Sequence, residues 1–318
     1  MPAAPKRTEF RILSLSGGGY LGLYTAVVLA ELEAQIGEPL GRRFDLIAGT
    51  SVGGLLAVGI AFEVPLSSMV ALFREHGADV FSPRSLPTGA VTRLIDLTRS
   101  VLGPKYTGAV LRVELEKRVG ARTLADALHA VVIPAVDVSR STTKVFKTPH
   151  GKASEGDGGL QAVDVTLATC AAPAYFPSVR IGERLYADGG LFAVAPDLVA
   201  LHEAEHFMGV DLRRIRMLSV GTATAGYQPA EGVEADAGAV GWLTDGRLIL
   251  TLVSVQQQHV QAVMEDRLGE RYLRVDAQWP VGAGLGIDVA TPAATGALVA
   301  LGLDSVADLD AQRIRQFL

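Results

Sequence analysis

Cysteine is almost missing from this chain: one residue, Cys170, stands in 318. That excludes an intramolecular disulfide framework and any metal centre built from several cysteines. Aromatic residues make up only 6% and charged residues 20%, and there is no basic excess. With 34 Asp and Glu against 29 Lys and Arg the formal net charge is −5, so nucleic acid is not among the expected partners. Internal repeats and low-complexity tracts are missing too, and the elements read as one continuous α/β layer structure. Met1 to Phe10 holds no apolar stretch of the kind a secretory leader needs, and the expectation is a cytoplasmic protein. Leu46 to Phe62 is free of charge, but it sits at the short end of the roughly 17–25 residues that cross a bilayer. Gly49, Gly53, Gly54 and Gly59 interrupt it and suit a strand, a tight turn and a closely packed helix better.

What is present is 49% hydrophobic residues and 35 glycines, the composition of an α/β enzyme with one large core. Chains of about this length bury roughly three quarters of their unfolded surface. Phe10 to Ser16 reads as a strand running into Gly17-Gly18-Gly19, followed by a helix with Leu21, Tyr24, Val28 and Leu32 on one face and Gly37 as its stop. Phe44 to Ala48 reads as a second strand feeding the turn at Gly49. Further strands are expected at Ala130–Val138, Lys144–Thr148, Arg184–Ala187, Met217–Val220 and Tyr272–Val275. Strands alternating with helical stretches predict an α/β fold with a mostly parallel central sheet, covered on both faces, in one domain over residues 1–318. Ser82–Tyr106, which contains the amphipathic piece Val91–Leu97, reads as a cap over a site or an inert insertion. Gly221–Gly241 reads as a surface loop.

Three segments carry chemistry. Gly49-Thr50-Ser51-Val52-Gly53 is a G-x-S-x-G between an apolar strand and a helical run. A serine hydroxyl is a weak nucleophile until it is exposed, oriented and paired with a base. A sharp strand-to-helix turn exposes it, and small flanking residues are needed because the turn is crowded. The helix start behind Ser51 adds partial positive charge where negative charge develops. The bland alternative is a glycine-lined turn with an incidental serine.

Ser16-Gly17-Gly18-Gly19-Tyr20-Leu21-Gly22 also joins a strand to a helix. Successive glycines let main-chain N–H groups face an anion without Cβ interference; a plain tight turn is the alternative. The run fits G-x-G-x-x-G as well, but a dinucleotide site wants an acidic residue closing the second strand. That strand ends in Gly49-Thr50-Ser51, with Asp45 at its start. The third segment, Leu185-Tyr186-Ala187-Asp188-Gly189-Gly190, holds a carboxylate at a strand end, where burial would raise its pKa enough to accept a serine proton. Alone, Asp-Gly-Gly is most often only a turn.

Together these pieces resemble the patatin-like phospholipase family, which combines a glycine-rich oxyanion loop, a G-x-S-x-G nucleophile and a D-G-G/A aspartate in that order. Gly17 to Gly22, Gly49 to Gly53 and Asp188 to Gly190 match, and Ala168 to Pro177 is similar to the family's segment before the aspartate strand. The motif-bearing core covers about residues 10–223. The resemblance implies a three-layer α/β/α patatin-like fold and a lipid acyl hydrolase of the phospholipase A type that needs no metal or organic cofactor. In it Ser51 attacks an ester carbonyl, Asp188 serves as base, and the Gly17, Gly18 and Gly19 amides hold the oxyanion, with Gly22, Gly49, Gly53, Gly189 and Gly190 as motif glycines. Two positions depart from the pattern: the family's loop usually begins with Asp and carries Arg or Lys before its last glycine, whereas Ser16 and Leu21 stand here. The opening Ile12 to Gly22 resembles bacterial anti-phage effectors, phospholipases switched on by a cyclic dinucleotide. The implied partners are a membrane phospholipid, met through transient contact with the inner membrane surface, and that nucleotide activator.

Other chemistries remain open from the residues alone. Ser51, Asp188 and then His202 or His206 is the chain order of an α/β-hydrolase triad, although both histidines fall in a helical run. His202-Glu203-Ala204-Glu205-His206 is a formal H-E-x-x-H, which on one helix face chelates zinc beside an activating glutamate; no third ligand is evident. With Leu21 breaking the loop pattern, a non-catalytic lipid or nucleotide binder is a third class. Gln256 to His259 and the stretch to Leu318 suggest no chemistry.

Overall fold

The structure is a computed structural model that describes residues 9–81, 103–151, 156–225, 227, 242, 247–279 and 284–318. Its centre is an eight-stranded sheet made of β1 (Phe10–Leu15), β2 (Leu46–Gly49), β3 (Val131–Asp137), β4 (Thr142–Lys147), β5 (Val179–Ile181), β6 (Arg184–Asp188), β7 (Ile215–Val220) and β8 (Tyr272–Val275). The order is β5-β6-β3-β2-β1-β7-β8, with β4 also paired to β3. The pairs β1–β2, β1–β7, β2–β3 and β7–β8 are parallel, while β3–β4, β3–β6 and β5–β6 are antiparallel.

Alternation along the strands splits the apolar residues between two faces. Leu13, Leu15, Ile47, Ile133 and Leu218 point to one core, and Ile12, Leu46, Ala48, Val132 and Met217 to the other. Over the first face lie α1 (Gly22–Ile36), α2 (Val52–Ala61), α3 (Leu66–Val80), α4 (Ala109–Val119), α5 (Ala162–Thr169) and α8 (Pro292–Ala307). The second is covered by α6 (Asp197–His202), which continues as a π turn over Glu203–Phe207, and by α7 (Arg247–Leu268). Ile314, Phe317 and Leu318, at and after the short α9 (Ala311–Arg315), sit in the same core as Leu13.

One topological detail places the site. β2 and β6 lie along the same edge of β3 and run toward each other. Ile47 and Ala48 pair with Val131 and Val132, while Asp188 pairs with Ala135. The C-terminal ends of both strands therefore meet beside Ile133 and Pro134, and Pro134 has no N–H to leave unpaired in the gap.

The charge-free run at Leu46–Phe62 resolves into β2, a tight turn and α2, and among the described residues no helix is long and apolar enough to cross a membrane. Gly37 ends α1 in the left-handed conformation, as the sequence predicts. The expected surface loop at Gly221–Gly241 needs correction at its start, because Gly221 to Thr224 are buried and pack against the sheet end; most of the rest lies outside the described residues. Val91–Leu97 of the expected cap lies outside them too. No strand is expected from the sequence at the three-residue β5, which is too short to show a pattern.

Candidate active site

Ser51 occupies the turn between β2 and α2 with φ 55° and ψ −126°, a conformation that costs a side-chain-bearing residue about 1–3 kcal/mol. The surroundings impose it. Ser51 N–H donates to Thr169 Oγ1 at 3.0 Å, and Thr169 Oγ1 donates to Pro134 O at 2.6 Å. Thr50 N–H is held by Leu15 O and Ser51 O accepts from Leu55 N–H. The G-x-S-x-G glycines follow from crowding: a Cβ on Gly49 would lie 2.1 Å from Gly53 O, and one on Gly53 would lie 2.2 Å from Leu15 O. The turn closes only where both side chains are absent.

Asp188 closes β6, and its own D-G-G turn aims it. Oδ1 accepts from Gly190 N–H at 2.7 Å, the capping bond of the 3-10 turn Gly189–Leu191. Oδ2 accepts from Ser51 Oγ at 2.7 Å. The carboxylate is 5% exposed, and among the described residues no cation pairs with it. Burial pushes its pKa up to about 6, against the opposing pull of the Ser51 and Gly190 hydrogen bonds. A carboxylate so poised is mostly ionised at neutral pH yet basic enough to take a proton from a nucleophile.

The glycine loop stands over this pair. Gly17 N–H donates to Val194 O at 2.8 Å, so of the three amides expected to face an anion this one already has an internal acceptor. Gly18 and Gly19 N–H have no hydrogen-bond partner among the described residues, and both glycines line a cavity with Ser51 and Asp188. Gly19 has φ 60°, and a Cβ there would lie 2.1 Å from Ile287 O. Leu21 is fully buried in the core and Ser16 Oγ accepts from Arg274 at 3.0 Å. The two departures from the loop pattern are thus absorbed by packing and by a cation from β8. The cavity measures about 330 Å³ and is walled by apolar side chains, among them Leu55, Phe73, Val80, Phe81, Leu111 and Phe176.

A family profile, patatin-like phospholipase, matches residues 13–201, more than half of the chain. The chain belongs to that family. The cGAMP-activated phospholipase of Pseudomonas aeruginosa (strain BWHPSA011 / Pa011) is 42% identical over 268 residues, 84% of this chain and 78% of that one. A protein of the same description from Vibrio cholerae is 33% identical over 88% of this chain and 86% of its own length. The cUMP-AMP-activated phospholipase of Escherichia coli is 33% identical over 66% of this chain and 64% of its own. Membership makes the chain a hydrolase of the kind that uses a catalytic serine.

In this patatin-like hydrolase the competing sequence readings find no footing. Among the described residues no histidine lines the cavity, and both Asp188 oxygens are engaged by Ser51 and Gly190. His202 and His206 stack on each other with ring centroids 5.1 Å apart. Glu203, the would-be base of the H-E-x-x-H, is buried between Lys147 Nζ at 2.5 Å and His150 Nε2 at 3.1 Å. Among the described residues no group of three His, Cys, Asp or Glu side chains could hold a metal ion. The sequence reading missed the glutamines of α7. Gln256 Oε1 accepts from Val194 N–H and its Nε2 donates to Gly190 O, while Gln257 Nε2 reaches Gly17 O. Both walls of the site hang on this helix, and no motif or spacing announces it.

Proposed function

We propose that this patatin-like hydrolase cleaves fatty acyl esters of membrane phospholipids through Ser51 and Asp188. Ser51 Oγ attacks the ester carbonyl carbon as its proton passes to Asp188 Oδ2. The oxyanion that forms is received by the Gly18 and Gly19 N–H groups, with the N-terminus of α2 adding positive potential. Collapse breaks the bond to the alcohol, which leaves as lysophospholipid with the proton from Asp188, and the fatty acyl group stays on Ser51. Water, deprotonated by Asp188, attacks the acyl-enzyme through a second oxyanion, and the proton returns to Ser51 as the fatty acid departs. Gly17 serves the loop's shape rather than the charge.

The observation that carries this reading is the 2.7 Å Ser51–Asp188 hydrogen bond opening onto an apolar cavity. The cavity's mouth supports a lipid surface as the source of substrate. Leu191 and Leu252 line the cavity while remaining 55% and 49% exposed, with Phe192 exposed next to the first and Val255 exposed three positions beyond the second on the same helix. Such an apolar rim suits shallow insertion between lipids, a peripheral and transient contact. By analogy with the named relatives, a cyclic dinucleotide activates the enzyme.

Phospholipid vesicles incubated with wild type and Ser51→Ala, with and without cGAMP and cUMP-AMP, test the whole reading. The expected result is fatty acid release that rises with one of the nucleotides and falls at least ~10⁴-fold in Ser51→Ala. Release that persists in Ser51→Ala removes the nucleophile. Wild-type release indifferent to either nucleotide removes the activator.

A further inference from the structure

Behind the glycine loop lies a buried polar network that the chemistry above does not use. The Gly17 carbonyl accepts from Thr222 Oγ1 at 3.2 Å and from Gln257 Nε2 at 3.5 Å. Both side chains are buried and neither lines the cavity, whereas Gly17 and Gly18 do. A trans peptide is planar, with its C=O and N–H on opposite sides. Drawing the Gly17 oxygen toward Thr222 and Gln257 therefore turns the Gly18 N–H, which belongs to the same peptide, toward the cavity. Two adjacent glycines leave that peptide free to rotate unless something holds it.

Which end of the Gln257 amide meets Gly17 is decided one layer further back. Arg274, buried on β8, donates to Gln257 Oε1, to Asp276 Oδ2 at 2.9 Å, to Ser219 Oγ at 2.8 Å and to Ser16 Oγ at 3.0 Å. Thr224 Oγ1 also donates to Gln257 Oε1, at 3.2 Å. A guanidinium has donors only, so the amide must offer it oxygen. Its nitrogen is left to face the Gly17 carbonyl. With the amide reversed, two oxygens would confront each other and the peptide would be driven to rotate, carrying the Gly18 N–H out of the cavity.

We propose that Thr222 and Gln257, the latter oriented by Arg274, are positioning residues that aim the Gly18 N–H at the reacting oxygen. The inference rests on the role given to Gly18 above. Its test uses Thr222→Val, Gln257→Met, Arg274→Met and Arg274→Lys, comparing kcat and KM on activated vesicle hydrolysis, the rate of fluorophosphonate labelling at Ser51, and thermal melting. Losing one well-aimed oxyanion donor lowers rates by about 10²–10³. Thr222→Val and Gln257→Met are expected to lower kcat about 10-fold each and Arg274→Met about 10²-fold, with KM within twofold. Labelling should fall in parallel, and the pH midpoint of turnover should stay put because Asp188 is untouched. Arg274→Lys, which keeps a donor toward Gln257, should recover part of the loss. Folded Thr222→Val and Gln257→Met proteins with wild-type kcat overturn the inference, whether or not they melt earlier. If Arg274→Met does not fold, those two variants decide the matter. A wild type that neither releases fatty acid nor takes the probe overturns the catalytic reading first, and this inference with it.

Discussion

Asp188, at the end of β6, and Glu203, in the π turn after α6, are buried to almost the same degree, 5% and 3% exposed. They differ in company. Among the described residues Asp188 has a hydroxyl and one amide for partners and no cation, so burial dominates and raises its pKa. Burial pushes Glu203 up as well, but hydrogen bonds from His150 and Lys147, and their charges, outweigh it and hold its pKa below the usual range. Lys147 also lies over the Phe207 ring, 3.6 Å from its centroid. One region keeps a buried carboxylate basic by leaving it without a counterion among the described residues; the other holds it ionised with the Lys147 ammonium and a hydrogen bond from His150. That contrast separates the site from a cluster whose motif looks just as chemical in the sequence.

Neutralising each carboxylate in turn puts the contrast to its hardest trial. Asp188→Asn keeps an acceptor for Gly190 N–H but cannot take a proton, and turnover should fall about 10²–10⁴-fold. Its stability at pH 7 should rise, because an uncompensated buried charge is gone. Glu203→Gln should do the reverse. Turnover stays within twofold, and stability drops by about 3 kcal/mol because Lys147 is left buried without its counterion. Steady-state vesicle hydrolysis and denaturant melts of both variants read the two effects separately. A Glu203→Gln protein that loses turnover would break the division between the regions.

Proton linkage gives the same comparison with graded control. In the proposed reaction turnover needs ionised Asp188, so it should rise through a midpoint of about 6 and fall about tenfold per pH unit below it. The stability effect has the opposite sense. Native Asp188 holds its proton more tightly than the unfolded chain, where the carboxyl titrates near 3.9. Protons are thus released from the unfolded state first, and stability falls as pH climbs from about 4 to 6, by ~3 kcal/mol in all. The melting difference between wild type and Asp188→Asn should therefore open across that window and be absent at pH 4. Glu203 works the other way: its contribution is present above the unfolded carboxyl value and is lost as pH falls through its lowered native value. A difference that does not vary between pH 4 and 7 would mean Asp188 has an ordinary pKa.

What could be read from the sequence divides along similar lines. The elbow, the sharp turn from β2 through Ser51 into α2, was legible because its glycines answer collisions a few residues away, such as Gly49 against Gly53 O. Asp188 was legible because its own turn aims it. The pairing of β6 against β3, which brings the two together, was not, since antiparallel partners leave no mark in either strand alone. Nor were Thr222, Gln257 and Arg274. Gln257 reaches Gly17 across 240 positions, and a glutamine on a helix looks like any solvated residue until its burial is known. Chemistry confined to a turn shows in a sequence, whereas the side chains that orient it from afar do not.

Two threonines offer the finest version of the comparison, because they do the same structural job in the two regions. Thr169 Oγ1 accepts from Ser51 N–H and donates to Pro134 O. Thr148 Oγ1, buried near Glu203, accepts from Val131 N–H at 2.9 Å and bonds His150 Nδ1 at 2.7 Å. Replacing either by valine keeps the shape and strands buried polar groups, a loss of about 1–3 kcal/mol in each case. Only Thr169→Val also frees the Ser51 amide, and with it the strained φ of 55° that points Oγ at Asp188. Relaxation there should lengthen the 2.7 Å bond and lower kcat by about 10-fold, while Thr148→Val leaves kcat alone. Parallel melts and rate measurements on the two variants separate stability from aim. Equal rates in both, with equal losses of stability, would mean that the glycines alone hold the elbow in its reactive conformation and that Thr169 adds only a hydrogen bond.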